Sequence, residues 1–129
     1  MAKLLDANII IRFLVADSKE KADAIEKLFQ SDETLILTDV TISEIVWVLS
    51  SYYKDVRSEI VKKITTLIHL PQIKCSKKII LIALSWFEKY NIDWIDAYLV
   101  AYAEENTITE IYSYDRDLDK IKKIKRLEP

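Results

Sequence analysis

The stretch Lys3-Leu4-Leu5-Asp6-Ala7-Asn8-Ile9-Ile10-Ile11 decides the fold class. Its opening apolar run is short enough for a strand and is closed by an acid; beyond it, Ile9, Ile10, Phe13 and Leu14 recur at helical spacing. Strand, acidic turn and helix in that order begin an α/β unit.

The same alternation continues outward. Asp17-x-x-Glu20 has the form of a capping box opening an amphipathic helix to residue 30, with Ala22, Ile25, Leu28 and Phe29 as its apolar stripe. Residues 34–37 read as a strand and 41–53 as a strongly apolar helix. Asp55 can cap a helix over 56–69 that Pro71 ends, and Ser76 can open another running to residue 90. A helix over 95–105, a strand over 110–114 closed by Asp115, and a short edge strand at 125–127 complete the chain. Short strands alternating with long helices predict an α/β fold, a three-layer α/β/α sandwich around a small, mostly parallel sheet. The 129 residues fit one domain, 1–129.

Composition removes several chemistries. There is no glycine, so phosphate loops, dinucleotide-binding turns and nucleophile elbows, which need positive φ or close backbone approach, are excluded. Asn91 and Asn106 are then the expected left-handed helix ends. One histidine (His69) and one cysteine (Cys75) exclude zinc fingers, histidine-based metalloproteases and a disulfide framework. The lone cysteine and the absence of a long apolar run predict a cytoplasmic protein. The net charge of -2 says little by itself.

Ligands of α/β sheets bind beyond the carboxyl ends of the strands. On that edge the patterning places Asp6 and Asp115, which close strands, and Glu44 and Asp96, in the first turns of helices. Each has a structural explanation as a cap, and Thr41-x-x-Glu44 and Asp93-x-x-Asp96 both have capping-box form. Capping does not account for the electrostatics: two carboxylates about 5 Å apart repel by about 3 kcal/mol at an effective dielectric of 20. Helix N-termini offset only part of this, and a hard divalent cation, Mg2+ or Mn2+, would offset the rest.

This set resembles the PIN-domain nucleases, and among them the compact VapC-type toxins of toxin–antitoxin pairs. The matching stretches are Leu4-Leu5-Asp6-Ala7-Asn8, Ser43-Glu44-Ile45, Ile95-Asp96-Ala97 and Ser113-Tyr114-Asp115-Arg116-Asp117. The resemblance implies a metal-dependent endoribonuclease, with Asp6, Glu44, Asp96 and Asp115 as catalytic and metal-binding residues and Asn8, Asp93, Ser113 and Asp117 in support. It also implies a homodimer and a cognate antitoxin protein as partner. Ala7 departs from the Ser or Thr often found between the Asp and the Asn, which removes a hydroxyl contact near the metal or phosphate. Lys120, Lys122, Lys123, Lys125 and Arg126 form a basic tail that, with Arg12 and Arg116, can meet RNA phosphate.

Other readings are weaker. Asp115-x-Asp117-x-Asp119 fails as a calcium loop, having Lys120 and Arg126 where glycine and glutamate are required, and too little chain follows it for a haloacid-dehalogenase-type phosphatase. His69 and Cys75 read as packing or surface residues. A receiver domain would need an acidic pair at the first strand and a late lysine, where this chain has Asp6 and Asp115. A catalytically idle RNA- or protein-binding module has no reason to keep four mutually repelling acids. Trp47, Trp86, Trp94 and the seven tyrosines could stack on bases but read mostly as core or subunit interface, Trp94 least clearly so.

Overall fold

Five short strands and six helices follow one another in a computed structural model that describes residues 1–129. They fall into two compact units, Met1–Lys77 and Lys78–Pro129.

The first unit runs β1 (Ala2–Leu4), α1 (Ala7–Val15), α2 (Lys19–Phe29), β2 (Thr34–Ile36), α3 (Asp39–Ser51), α4 (Arg57–Ile68) and β3 (Ile73–Lys74). β2 is the middle strand and pairs parallel with both neighbours, Leu35 lying in register with Lys3 and with Ile73. Parallel pairing sets the carboxyl ends of β1 and β2 on one edge, and α1 and α3 begin there. The core comes from helical stripes: Ile42, Ile45 and Leu49 on α3 and Ile60, Ile64 and Ile68 on α4 are fully buried at three- and four-residue spacing.

The second unit runs α5 (Lys77–Lys89), α6 (Trp94–Glu105), β4 (Glu110–Tyr112), a 3-10 turn (Arg116–Lys120) and β5 (Lys125–Leu127). β4 and β5 are parallel, with Ile111 opposite Arg126. Ile80, Ala83 and Leu84 of α5, Ala97 and Ala101 of α6, and Leu118 of the turn are buried. The α/β class is as expected, with six helices and every ladder parallel. No helix is long and apolar enough to cross a membrane.

Several local expectations are corrected. Ser18, not Asp17, caps α2, accepting from the Lys21 amide, and Asp17 pairs with Arg12 at 3.5 Å. Helix α3 begins two residues early, at Asp39, because Thr38 rather than Thr41 is its cap. Asp55 does not cap α4; its carboxylate takes Lys63 at 2.6 Å and its amide closes α3 by donating to Leu49 O. β3 has no counterpart in the sequence pattern, being only two residues long.

The left-handed positions are Ala16, Lys54 and Thr107, not Asn91 or Asn106. At the end of α6, Ile108 N donates to Ala103 O and Thr107 N to Glu104 O, a Schellman closure with Thr107 where glycine is usual. Asn106 keeps negative φ and spends its amide on Tyr102 O. Trp94 is core, edge-on to Phe87 at 5.8 Å, while Trp47 is the exposed tryptophan.

Candidate metal centre

The N-terminus of α6 and the end of β4 bring three acids together. Asp93 occupies the N-cap of α6 with an extended backbone, yet its side chain makes no capping hydrogen bond. Asp96 follows three residues later in the first turn, so both carboxylates project from one end of the helix.

Asp115 is delivered by a braced turn. Ser113 N donates to Leu127 O at 3.0 Å, prolonging the ladder beyond Tyr112. Ser113 Oγ then accepts from Asp115 N at 3.0 Å, and Asp115 Oδ1 accepts from Asp117 N at 2.9 Å. Arg126, fixed by Asp119 and Glu128, donates to Ser113 O from the adjacent strand.

Asp93, Asp96 and Asp115 each offer one carboxylate oxygen, all within 4.8 Å of one another. Three charges so close are unfavourable in the protein alone, by roughly 3 kcal/mol per pair at an effective dielectric of 20. Burial pushes the Asp96 carboxyl up to about 6, with Asp115, Asp93 and Asp117 adding to it. Asp115 moves the other way: the Asp117 amide, then the contact with Asp96, and the charges of Lys120 and Arg126 hold it below the usual carboxylate range. Asp96 Oδ2 is buried without any hydrogen-bond partner. An orphaned oxygen among three carboxylates, with no nitrogen or sulfur donor in the set, fits a hard divalent cation.

The remaining expected residues are placed as follows. Asp6 caps α1 by position at the carboxyl end of β1, exposed, without a side-chain capping bond. Asn8 is exposed in the first turn of α1, and Glu44 lies on the exposed face of α3 that also carries Val40 and Trp47. Because α3 starts at Asp39, Glu44 is beyond its first turn and takes no part in a capping box. Arg116 is exposed at the start of the 3-10 turn, and Lys122 and Lys125 are exposed.

The rest of the basic tail is engaged. Lys123 pairs with Glu104 at 2.8 Å and lies over the Trp86 ring. Lys120 pairs with Asp117 at 3.3 Å. The Arg126 side chain is only 11% exposed and spends its guanidinium on Asp119, Glu128 and Ser113 O, so its role is to brace this segment rather than to face RNA. Charge alone does not reveal that assignment; the sign of it in the sequence is the acid seven residues before Arg126 and the acid two residues after.

The family model of the PIN domain matches residues 3–124. No curated protein matches the chain.

Proposed function

The chain belongs to the PIN domain family, whose members are in general nucleases that typically use divalent metals, and from that membership we propose that it is a Mg2+- or Mn2+-dependent endoribonuclease. The observation that carries the reading is the buried, unpartnered Asp96 Oδ2 among three converging carboxylates. Asp93, Asp96 and Asp115 would hold the ion; Asp6 and Glu44 are the further acids to which the resemblance gives a catalytic role. The chemistry such an ion supplies when bound is acidification of water and stabilisation of charge on a phosphodiester undergoing displacement.

The protein's own groups divide the remaining work. Asp115 is oriented by the Asp117 amide and the Ser113 hydroxyl and stays ionised. Asp96, raised to about 6 by burial and by its acidic neighbours, is the carboxylate whose charged form a bound cation would favour most. Arg116, Lys122 and Lys125 are the exposed cations available to RNA phosphates.

The same reading makes the chain the toxin of a toxin–antitoxin pair, acting in the cytoplasm as a homodimer with an antitoxin as its controlling partner. What supports this is the resemblance of four acidic stretches, in order along nearly the whole chain, to compact toxins of that type. The test is cleavage of defined RNAs with Mg2+ or Mn2+ by wild type and Asp96→Asn. Wild type should cleave with the metal and stop in EDTA, and the variant should be inert; full cleavage in excess EDTA would refute the metal dependence.

A further inference from the structure

The acids of the metal centre come from two segments. Asp93 and Asp96 stand at the start of α6, and Asp115 opens the 3-10 turn that runs to Lys120. Apolar side chains anchor each segment: Ile92 and Trp94 are buried beside Asp93, and Leu118 and Ile121 are buried on either side of Asp119 and Lys120. Repulsion among three carboxylates that offer oxygens within 4.8 Å of one another works to part the two segments.

Lys120 spans them. Its Nζ donates to the backbone carbonyl of Asn91 at 3.0 Å, two residues before Asp93, and pairs with Asp117 Oδ1 at 3.3 Å, two residues after Asp115. The Asp117 amide in turn donates to Asp115 Oδ1 at 2.9 Å. One ammonium therefore links the approach to α6 with the residue that orients Asp115. The pair with Asp117, at three-residue spacing and open to water, contributes little by itself. The bond to Asn91 O is different in kind, because a charged donor here reaches a carbonyl 29 residues away in the chain.

The charge and the reach of Lys120 have opposite effects on an incoming cation. As a charge beside an acidic group, the ammonium repels a metal ion. As a tie between the two segments, it keeps the carboxylates gathered for one.

We propose that Lys120 is a positioning residue of the metal centre: by joining the Asn91 carbonyl to the Asp115 turn, it holds Asp93 and Asp96 against Asp115 at a separation that one ion can bridge. The proposal rests on the metal-dependent reading above and adds a residue outside the ligand set that fixes the geometry of the ligands.

The test compares wild type with Lys120→Met, which keeps the aliphatic stem but removes donor and charge, and with Lys120→Arg, which keeps both. Lys120 is exposed, so both variants should fold. The first readout is amide hydrogen exchange in excess EDTA. The Asp117 amide, bonded to Asp115 Oδ1, and the Ala97 amide, bonded to Asp93 O, should exchange about tenfold faster in Lys120→Met, the scale of one lost charged hydrogen bond. The second is calorimetric titration of Mn2+, which Lys120→Met should bind about 10- to 100-fold more weakly than wild type. Lys120→Arg should restore most of both.

Unchanged exchange at both amides in Lys120→Met would overturn the tie. So would Mn2+ binding as tight as wild type or tighter, the sign expected of a lysine that acts through charge alone, and so would an arginine variant no better than methionine. A wild type that takes up no Mn2+ counts against the metal-dependent reading, and the exchange rates in EDTA then decide by themselves whether Lys120 holds the two segments together.

Discussion

The two units carry the same local device, an acid where a strand gives way to a helix or helical turn, with opposite consequences. In the first, Asp6 stands exposed after β1, its capping bond unmade, and Glu44 stands on an open face of α3. In the second, Asp93, Asp96 and Asp115 crowd to within 4.8 Å, one oxygen is orphaned, and the carboxyl of Asp96 is pushed to about 6. Position at a strand end makes an acid available; crowding makes it costly. In the second unit the crowding raises one of the three carboxyls, Asp96, and leaves one of its oxygens without a partner.

The sharpest way to break this contrast is to neutralise one acid in each unit. Asp96→Asn and Asp6→Asn should each lower RNA cleavage by about a thousandfold, the scale on which losing a preorganised electrostatic interaction is felt. Their stabilities should separate: without metal at pH 7, Asp96→Asn should melt higher than wild type because it relieves repulsion, while Asp6→Asn should lie within about 0.5 kcal/mol. Equal stability shifts in thermal melts would remove the contrast.

The pH dependence has a definite sign. The folded-state pKa of Asp96, about 6, lies above its ordinary 3.8, so the folded protein binds more protons between those values. The Asp96 contribution to metal-free stability should therefore fall as pH rises from 4 to 7. Melts of wild type should show this decline in excess over Asp96→Asn, and parallel curves for the two proteins would contradict it.

Smaller effects follow from the supports. Ser113→Ala removes the acceptor of the Asp115 amide and should cost about 1 kcal/mol in denaturant unfolding, with cleavage reduced by about tenfold. Lys122→Glu with Lys125→Glu should weaken RNA binding and flatten its salt dependence, by about one unit of log–log slope for each phosphate no longer neutralised. An unchanged slope would return both lysines to the role of a solvated terminus.

Much of this is legible in the sequence, for reasons that individual residues show. β1 and β4 are short runs followed within two or three residues by an acid, so Asp6 and Asp115 are readable as lying at strand ends. Asp96 is readable because an acid among buried helix positions stands out. The start of α3 is not, because Thr38 and Thr41 are both competent caps and tertiary packing chooses the first. The left-handed residues escape a reading by residue type because the geometry of closure selects a position: Thr107 accepts φ of 58° where the Ile108 and Thr107 amides must reach back into α6. Arg126 escapes it for a related reason. Charge is visible in a sequence, whereas the pairing of Arg126 with Asp119 and Glu128 exists only once β5 lies beside β4.

Whether the second unit's three carboxylates hold a divalent cation is tested most directly by calorimetric titration of Mn2+ into wild type, Asp96→Asn and Asp93→Asn. Wild type should bind the ion, and each variant, still folded, should bind it at least tenfold more weakly. Variants that take up Mn2+ as tightly as wild type would contradict a metal centre at this site.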